Sequence, residues 1–310
     1  VTSDALRGEQ MLRPDFTVPV VQMHMAHGAA PARYTYAGPV FRRQEEDAAR
    51  ANEYQQVGFE LFDGTNPAEA DAEVFCLIAQ ALGPAPLRAA TGDIGILLAA
   101  VDALETTAPR RAALRRHIWR PRRFRALMDR FSGRAPVPAS RQAVIAGQLA
   151  PTGAPEIGLR SMAEVEARIA ALREDAQAGP IPASQVALID AILDVREAMP
   201  YALEQLRDIS VDLPAIAPAV ARMAQRMQAL ERRGIDVARL DFEASYGRST
   251  MEYYDGFVFG FYAETRADLP AVASGGRYDA LTAVLGQGRS IPAVGGVIRP
   301  GLLAELGAGV

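Results

Sequence analysis

The stretch GPVFRRQEEDAARANEYQQVGFELF, residues 38–62, gathers side chains suited to holding a small polar ligand. Arg42 and Gln44 leave one strand-like run, Arg50 lies in the polar loop QEEDAARAN, and Gln56 and Glu60 sit on a second run. An arginine at a strand end can pair two oxygens of a phosphate or carboxylate through its planar fork. Glu60, facing inward, needs a cation or an N–H donor, because an unpaired buried carboxylate is costly. An amine or an imidazole would meet that need. The plain alternative is an ordinary hairpin with a salt-bridged loop.

Other candidates are weaker. SGGRYDAL puts Gly275, Gly276, Arg277 and Tyr278 at a strand-to-helix junction, with Asp279 in the first helical turn, where the dipole favours it. This is neither a Walker loop nor a spaced dinucleotide fingerprint. His24, His27 and His117 are the only histidines. The first two are three apart with no cysteine beside them, so no metal site is expected. No Gly-x-Ser-x-Gly elbow occurs, and three scattered histidines do not suggest a catalytic triad. Nine arginines fall within residues 110–130, with Trp119 and Phe124 interleaved. Such a run can neutralise phosphates. The acidic balance of the whole chain favours a solvated face or a docking surface for an acidic partner, and nucleic acid is not an expected partner.

The elements that must position these groups follow from periodicity. RYTYAGPVFRR and EYQQVGFELF read as antiparallel strands. In the second, Val57, Phe59 and Leu61 share one face, expected to pack on the core; Gln56, Gly58 and Glu60 share the other. Residues 12–85 read as short period-two runs closed by the acidic-started helix AEADAEVFCLIAQAL. Residues 92–240 read as mostly helical, in five stretches including RRAALRRHIWRPRRFRALMDRF, with Pro/Gly-rich breaks between them. From about 238 the strand pattern returns, and Phe257, Phe259 and Phe261 oppose Gly256, Val258 and Gly260. Small residues on one strand face leave room for a ligand or another backbone.

The 310 residues, 49% hydrophobic with 26 Gly and 21 Pro, suit one large or two medium domains. Net charge is −4 and all 33 basic residues are arginine, in keeping with a GC-rich genome. Cys76 is the only cysteine, which excludes an internal disulfide and a cysteine-based zinc site and fits a reducing cytoplasm. No run is long and apolar enough for a membrane span, and VTSDALRGEQ has no secretory character. With no initiating Met and a motif already at residue 12, a segment is expected to precede Val1.

Four motifs in this order resemble histidyl-tRNA synthetase. LRPDFTVPV (12–20) is similar to that family's amino-acid-binding loop, and GPVFRRQ…EYQQVGFELF to class II motif 2. EYYDGFVFGFY resembles its histidine-specific Tyr-Tyr segment, and GGRYDAL its Gly-Gly-Arg-Tyr-Asp segment. The resemblance implies an α+β fold, a class II synthetase-like antiparallel sheet flanked by helices. Residues 1–90 and 238–310 would form this core, residues 91–237 a mostly helical insertion, and no anticodon-binding domain is expected. Carried over, it assigns Asp15, Thr17 and Gln56 to a ligand's amino end, and Glu60, Tyr254 and Tyr278 to an imidazole. Arg42 and Arg50 fall at the nucleotide-facing positions.

The departures from that family bear on chemistry. Ser249 stands where the family has its catalytic arginine, with Arg248 one place off, and in a strand a one-residue shift reverses side-chain direction. Leu302 occupies the motif 3 arginine position, and Gln44 replaces a motif 2 glutamate. Loss of one charge-stabilising donor typically costs roughly a hundredfold in rate. The departures resemble the regulatory subunit of ATP phosphoribosyltransferase, the synthetase-like paralogue. That resemblance implies a non-catalytic protein with no cofactor, partnered with the short-form catalytic subunit of ATP phosphoribosyltransferase. It would be a homodimer within a hetero-oligomer, with histidine as effector. A truncated or divergent synthetase-like enzyme forming histidyl-adenylate is the competing reading.

Overall fold

The period-two runs at 32–62 form a ten-residue ladder in the computed structural model, which describes residues 2–4, 9–43, 50–149, 157–248 and 252–307. Before it, β1 (Thr2–Asp4) and β2 (Glu9–Met11) make a small antiparallel pair, followed by helix α1 (Thr17–His27). That helix lies within the residues 12–85 that read as short period-two runs, and no helix was expected at this place. Pro19 sits in the first turn, where its missing N–H leaves no bond unmade. The ladder is β3 (Ala32–Phe41) with β4 (Glu53–Phe62). Helix α2 (Pro67–Leu82) then begins at Asn66, whose side chain accepts the Glu69 amide at 3.3 Å. Strand β5 (Leu87–Asp93) follows, and Asp93 caps α3 (Ile94–Asp102) through the Gly95 amide at 2.9 Å.

The helical stretch continues with α4 (Ala108–Arg116), α5 (Pro121–Phe131), α6 (Ala139–Ile145), α7 (Met162–Gln177) and α8 (Ala183–Asp194). The arginine-rich segment is therefore two helices, because Pro121 opens a new one. Strand β6 (Arg196–Ala198) and helix α9 (Met199–Asp212) were not foreseen; α10 (Ala217–Arg232) was. The chain closes with β7 (Asp241–Glu243), β8 (Phe257–Ala263), β9 (Ala273–Arg277), α11 (Asp279–Leu285), β10 (Ala293–Ile298) and α12 (Pro300–Glu305).

Eight strands form one sheet in the order β3-β4-β10-β9-β8-β5-β7-β6. Every ladder is antiparallel except β5 with β7. This is the expected α+β architecture. The strand β5 runs past residue 91, and β6 places residues 196–198 in the same sheet.

Register sorts the residues of the two sheet faces. On one, Phe257, Phe259 and Phe261 surround Phe75 of α2, with ring centroids 6.3, 5.4 and 5.1 Å away. On the other, Gln56, Gly58 and Glu60 lie in line with Val297 and Gly295 of β10 and Ser274 and Gly276 of β9. Of the three β4 side chains expected to pack on the core, Leu61 and Phe59 do so and Val57 does not. Val57 is 40% exposed and Phe59 half-buried, while Gln56 and Glu60 are each 1% exposed. Burial on the Val57 face grows along the strand, from exposed Glu53 and Gln55 to buried Leu61. Tyrosines cover the polar face at Gly58, Gly260 and Gly276.

A buried ion network ties the second layer to the sheet. Asp71 of α2 accepts from Arg226 of α10 at 3.0 Å and from Arg277 of β9 at 2.7 and 2.9 Å. Arg226 also donates to Asp93 at 2.7 Å and lies 4.3 Å over the Phe257 ring. Arg277 reaches the Pro67 carbonyl and Asp279 as well. Asp255 caps α11 through the amides of Asp279 and Ala280, and burial pushes its carboxyl up to about 6.

Candidate ligand pocket

The segment before α1 is laid along β3 by its own side chains. Arg13 donates to the Pro39 carbonyl at 2.9 Å and covers the Phe16 ring, and Phe16 stacks on Tyr36 at 4.6 Å. The Phe41 amide bonds the Arg13 carbonyl at 3.0 Å. This brings Asp15 and Thr17 to the polar face of the sheet. Arg42, just beyond β3, bonds the Pro14 carbonyl at 2.7 Å and the Asp15 carboxylate at 3.2 Å.

A cavity of ≈ 260 Å³ opens there, lined among others by Asp15, Thr17, Arg42, Gln56, Tyr253 and Tyr254. The sequence reading placed five of these six in one site. Gln56 is buried, and its Oε1 has no hydrogen-bond partner among the described residues. A buried acceptor without a partner costs roughly 1–3 kcal/mol. A ligand N–H donor would satisfy it.

Glu60 and Tyr278 do not line this cavity but lie beneath it. The Glu60 carboxylate accepts from the hydroxyls of Thr17 at 2.9 Å, Tyr36 at 3.0 Å and Tyr278 at 2.6 Å. Burial pushes its carboxyl up to about 7, and the three hydroxyls pull it back. Burial first and the Glu60 charge second raise the Tyr278 and Tyr36 hydroxyls well above the ordinary phenol, so both remain donors. Two glycines make the arrangement fit. Gly58 lies opposite Tyr36, and a Cβ there would fall 2.3 Å from the ring. Gly295 lies opposite Glu60, where a Cβ would be 1.5 Å from Oε2. Thr17, which lines the cavity and bonds Glu60, is the link between the buried carboxylate and the pocket.

The wall across from Asp15 was not legible in the sequence. Tyr246 and Tyr262 share a 2.9 Å hydroxyl contact, and Ser274 and Arg299 complete that side. The room left by Gly260 is filled by Tyr246, whose hydroxyl would be 2.0 Å from a Cβ there. Tyr253 packs edge-on to Tyr254 and Tyr278, at 4.9 and 6.1 Å.

A wider cavity of ≈ 770 Å³ adjoins the first and carries Arg42, Arg43, Arg50, Tyr54, Arg299, Leu302 and Glu305. Arg50 lies here rather than beside Asp15, 3.4 Å from Glu305. Leu302 contributes a buried apolar side chain at the place expected for an arginine. Arg248 turns to the helical layer: it donates to the Ile118 carbonyl at 2.9 Å and stacks on Phe124 at 4.9 Å, and burial lowers its guanidinium to about 10. Gln44 and Ser249 lie outside the described residues. His24 is buried away from the cavity, stacked on Phe62 at 3.9 Å, and burial lowers its pKa. Among the described residues no group of three His, Cys, Asp or Glu could hold a metal ion, and no helix is long and apolar enough to cross a membrane.

Comparison with known proteins places this geometry in context. The family model described as histidyl-tRNA synthetase matches residues 2–150 and 158–300. The ATP phosphoribosyltransferase regulatory subunit of Brucella ovis is 30% identical over 315 residues, covering 92% of this chain and 80% of that protein. Its counterpart in Brucella abortus is also 30% identical, with 92% and 79% covered. Among solved structures, an ATP phosphoribosyltransferase regulatory subunit/histidyl-tRNA synthetase from Bacillus halodurans superposes with a TM-score of 0.65. It is 23% identical, over 98% of this chain and 67% of that one. Histidyl-tRNA synthetase from Nostoc gives 0.59 at 15% identity, over 97% and 62%. At these identities the two structures establish the fold.

Proposed function

The chain belongs to the histidyl-tRNA synthetase-like family of ATP phosphoribosyltransferase regulatory subunits, and from that premise we propose that it regulates the short-form ATP phosphoribosyltransferase. In this reading it has no reaction of its own. It activates the catalytic subunit and contributes to feedback inhibition by histidine in the first step of histidine biosynthesis. It works in the cytoplasm, as a homodimer within a hetero-oligomer, with residues 91–237 as a mostly helical insertion in the synthetase-like core that lends β6 to its sheet.

The observation that carries the pocket's part is the Gln56 Oε1, without a partner among the described residues, in the same amino-acid-sized cavity as Asp15. Both groups accept hydrogen bonds, as an ammonium requires. Tyr254 offers a ring face, and Thr17 connects the ligand space to Glu60. Arg42 is held by Asp15 rather than extended toward a nucleotide, and Arg50 is engaged by Glu305. The absence of transfer chemistry is supported by Arg248, turned onto Phe124, and by Leu302.

The decisive experiment mixes this chain with the short-form catalytic subunit and follows phosphoribosyl transfer with and without histidine. Strong activity is expected only in the mixture, with inhibition by histidine. Equal activity of the catalytic subunit alone would sink the regulatory reading. Histidine-dependent ATP–pyrophosphate exchange by this chain alone would instead establish the adenylate-forming alternative.

A further inference from the structure

Two guanidinium groups line both cavities, Arg42 and Arg299. Arg42 is bonded to Pro14 and Asp15. Arg299, which follows the last residue of β10, is bound differently. Its Nη1 donates to the Ala271 carbonyl at 3.1 Å, and its guanidinium carbon lies 5.8 Å from the centre of the Tyr54 ring. Among the described residues Nε and Nη2 make no hydrogen bond, and no carboxylate pairs with the group. The neighbouring charge is that of Arg42, which repels it. Burial is the largest influence, holding its pKa below arginine's ordinary value.

We propose that Arg299 is the receptor for the carboxylate of the amino acid bound in the pocket, its Nε and Nη2 edge facing the two oxygens. This inference rests on the reading of the pocket as an amino-acid site. A zwitterion brings one cation and one anion. Asp15 and the Gln56 Oε1 provide acceptors for the ammonium, so the anion needs donors elsewhere in the same cavity. With Nη1 anchored on Ala271, the remaining edge of the guanidinium has the parallel-donor geometry that pairs a carboxylate bidentately. A largely desolvated cation with no anion is costly to hold, and a bound carboxylate removes that cost. The repulsion between Arg42 and Arg299 is relieved by the same event.

Titration calorimetry on the purified chain tests this with L-histidine and L-histidinol, in which a hydroxymethyl group replaces the carboxylate. Wild-type protein is expected to bind histidine roughly tenfold or more tightly than histidinol. In Arg299→Gln that preference is expected to vanish, histidine falling to the histidinol level while histidinol binding changes less than about twofold. Arg299→Lys, which keeps the charge but loses the fork, is expected to fall between. The wild-type comparison needs no variant, so a misfolded Arg299→Gln would leave the proposal exposed. Equal binding of the two ligands by wild type overturns it, as does an undiminished preference in folded Arg299→Gln; in both cases the amino-acid reading survives. No histidine binding by folded wild type overturns both.

Discussion

Two clusters of charged residues serve this fold in opposite ways. Behind the sheet, Asp71, Arg226, Asp93, Arg277 and Asp279 pair with one another, both arginines engaged by two carboxylates. In front of it, among the described residues, Asp15 holds Arg42, the Gln56 Oε1 has no partner, and Arg299 has one carbonyl. A closed cluster fixes geometry, since every charge already has its counterpart. An open one leaves donors and acceptors whose pairing is completed from outside. Burial alone does not separate the two: Gln56 at 1% is as enclosed as Arg226 at 2%.

Breaking the closed cluster should have the largest effect. Asp71→Ala takes one of two carboxylates from each of two buried guanidinium groups, leaving Asp93 to Arg226 and Asp279 to Arg277, a change expected to cost up to about 3–5 kcal/mol; guanidinium denaturation should show that loss or a failure to fold. Retained stability would mean that the network is not structural. Next is the pH response of Glu60. Its folded carboxyl is raised to about 7 from an ordinary 4.5, so its stabilisation is fully present below pH 4.5 and is lost as pH rises to about 7. The loss is on the order of 3 kcal/mol. Glu60→Gln should flatten this dependence, and Asp255, shifted the same way, should leave a residual slope between about pH 4 and 6. An unchanged slope in the variant would assign the effect to other groups.

The open cluster should respond in binding rather than stability. Asp15→Asn is expected to weaken histidine binding by roughly tenfold or more, while changing stability by less than about 1 kcal/mol, because Arg42 is partly exposed. A large loss of stability with unchanged binding would place Asp15 with the closed cluster. The smallest effect is expected at Arg122 and Arg123, exposed on α5 with no carboxylate partner among the described residues. Replacing both by Glu should change stability by at most about 0.5 kcal/mol per site. Most other arginines of that region are already committed: Arg110 pairs with Asp175, Arg115 with Asp102, Arg120 with Glu252 and Arg125 with Asp190.

The hairpin and its polar face were legible because a period of two shows directly in eleven or so residues. Asp15 and Thr17 came from motif resemblance, since nothing local says that the segment at 13–17 will lie along β3. The helix α1 was hidden by valines and a first-turn proline. Strand β6 has three residues and no period of its own. The far wall of the pocket is built by Tyr246, Tyr262 and Arg299, more than 220 residues from Thr17 in sequence; their convergence depends on sheet order, which periodicity does not encode. Glu60 was correctly read as inward-facing, but its partners proved to be hydroxyls of this chain.

One contact links the arginine-rich helices to the pocket. The chain's single tryptophan, Trp119, lies between α4 and α5 and donates its indole N–H to the Tyr254 carbonyl at 3.1 Å. The Tyr254 ring lines the cavity, so the peptide unit that holds the indole belongs to a residue in reach of a ligand. The protein thus carries an intrinsic fluorophore wired to its own pocket: occupancy can be followed as a shift in indole emission, with no label attached and no second tryptophan to dilute the signal.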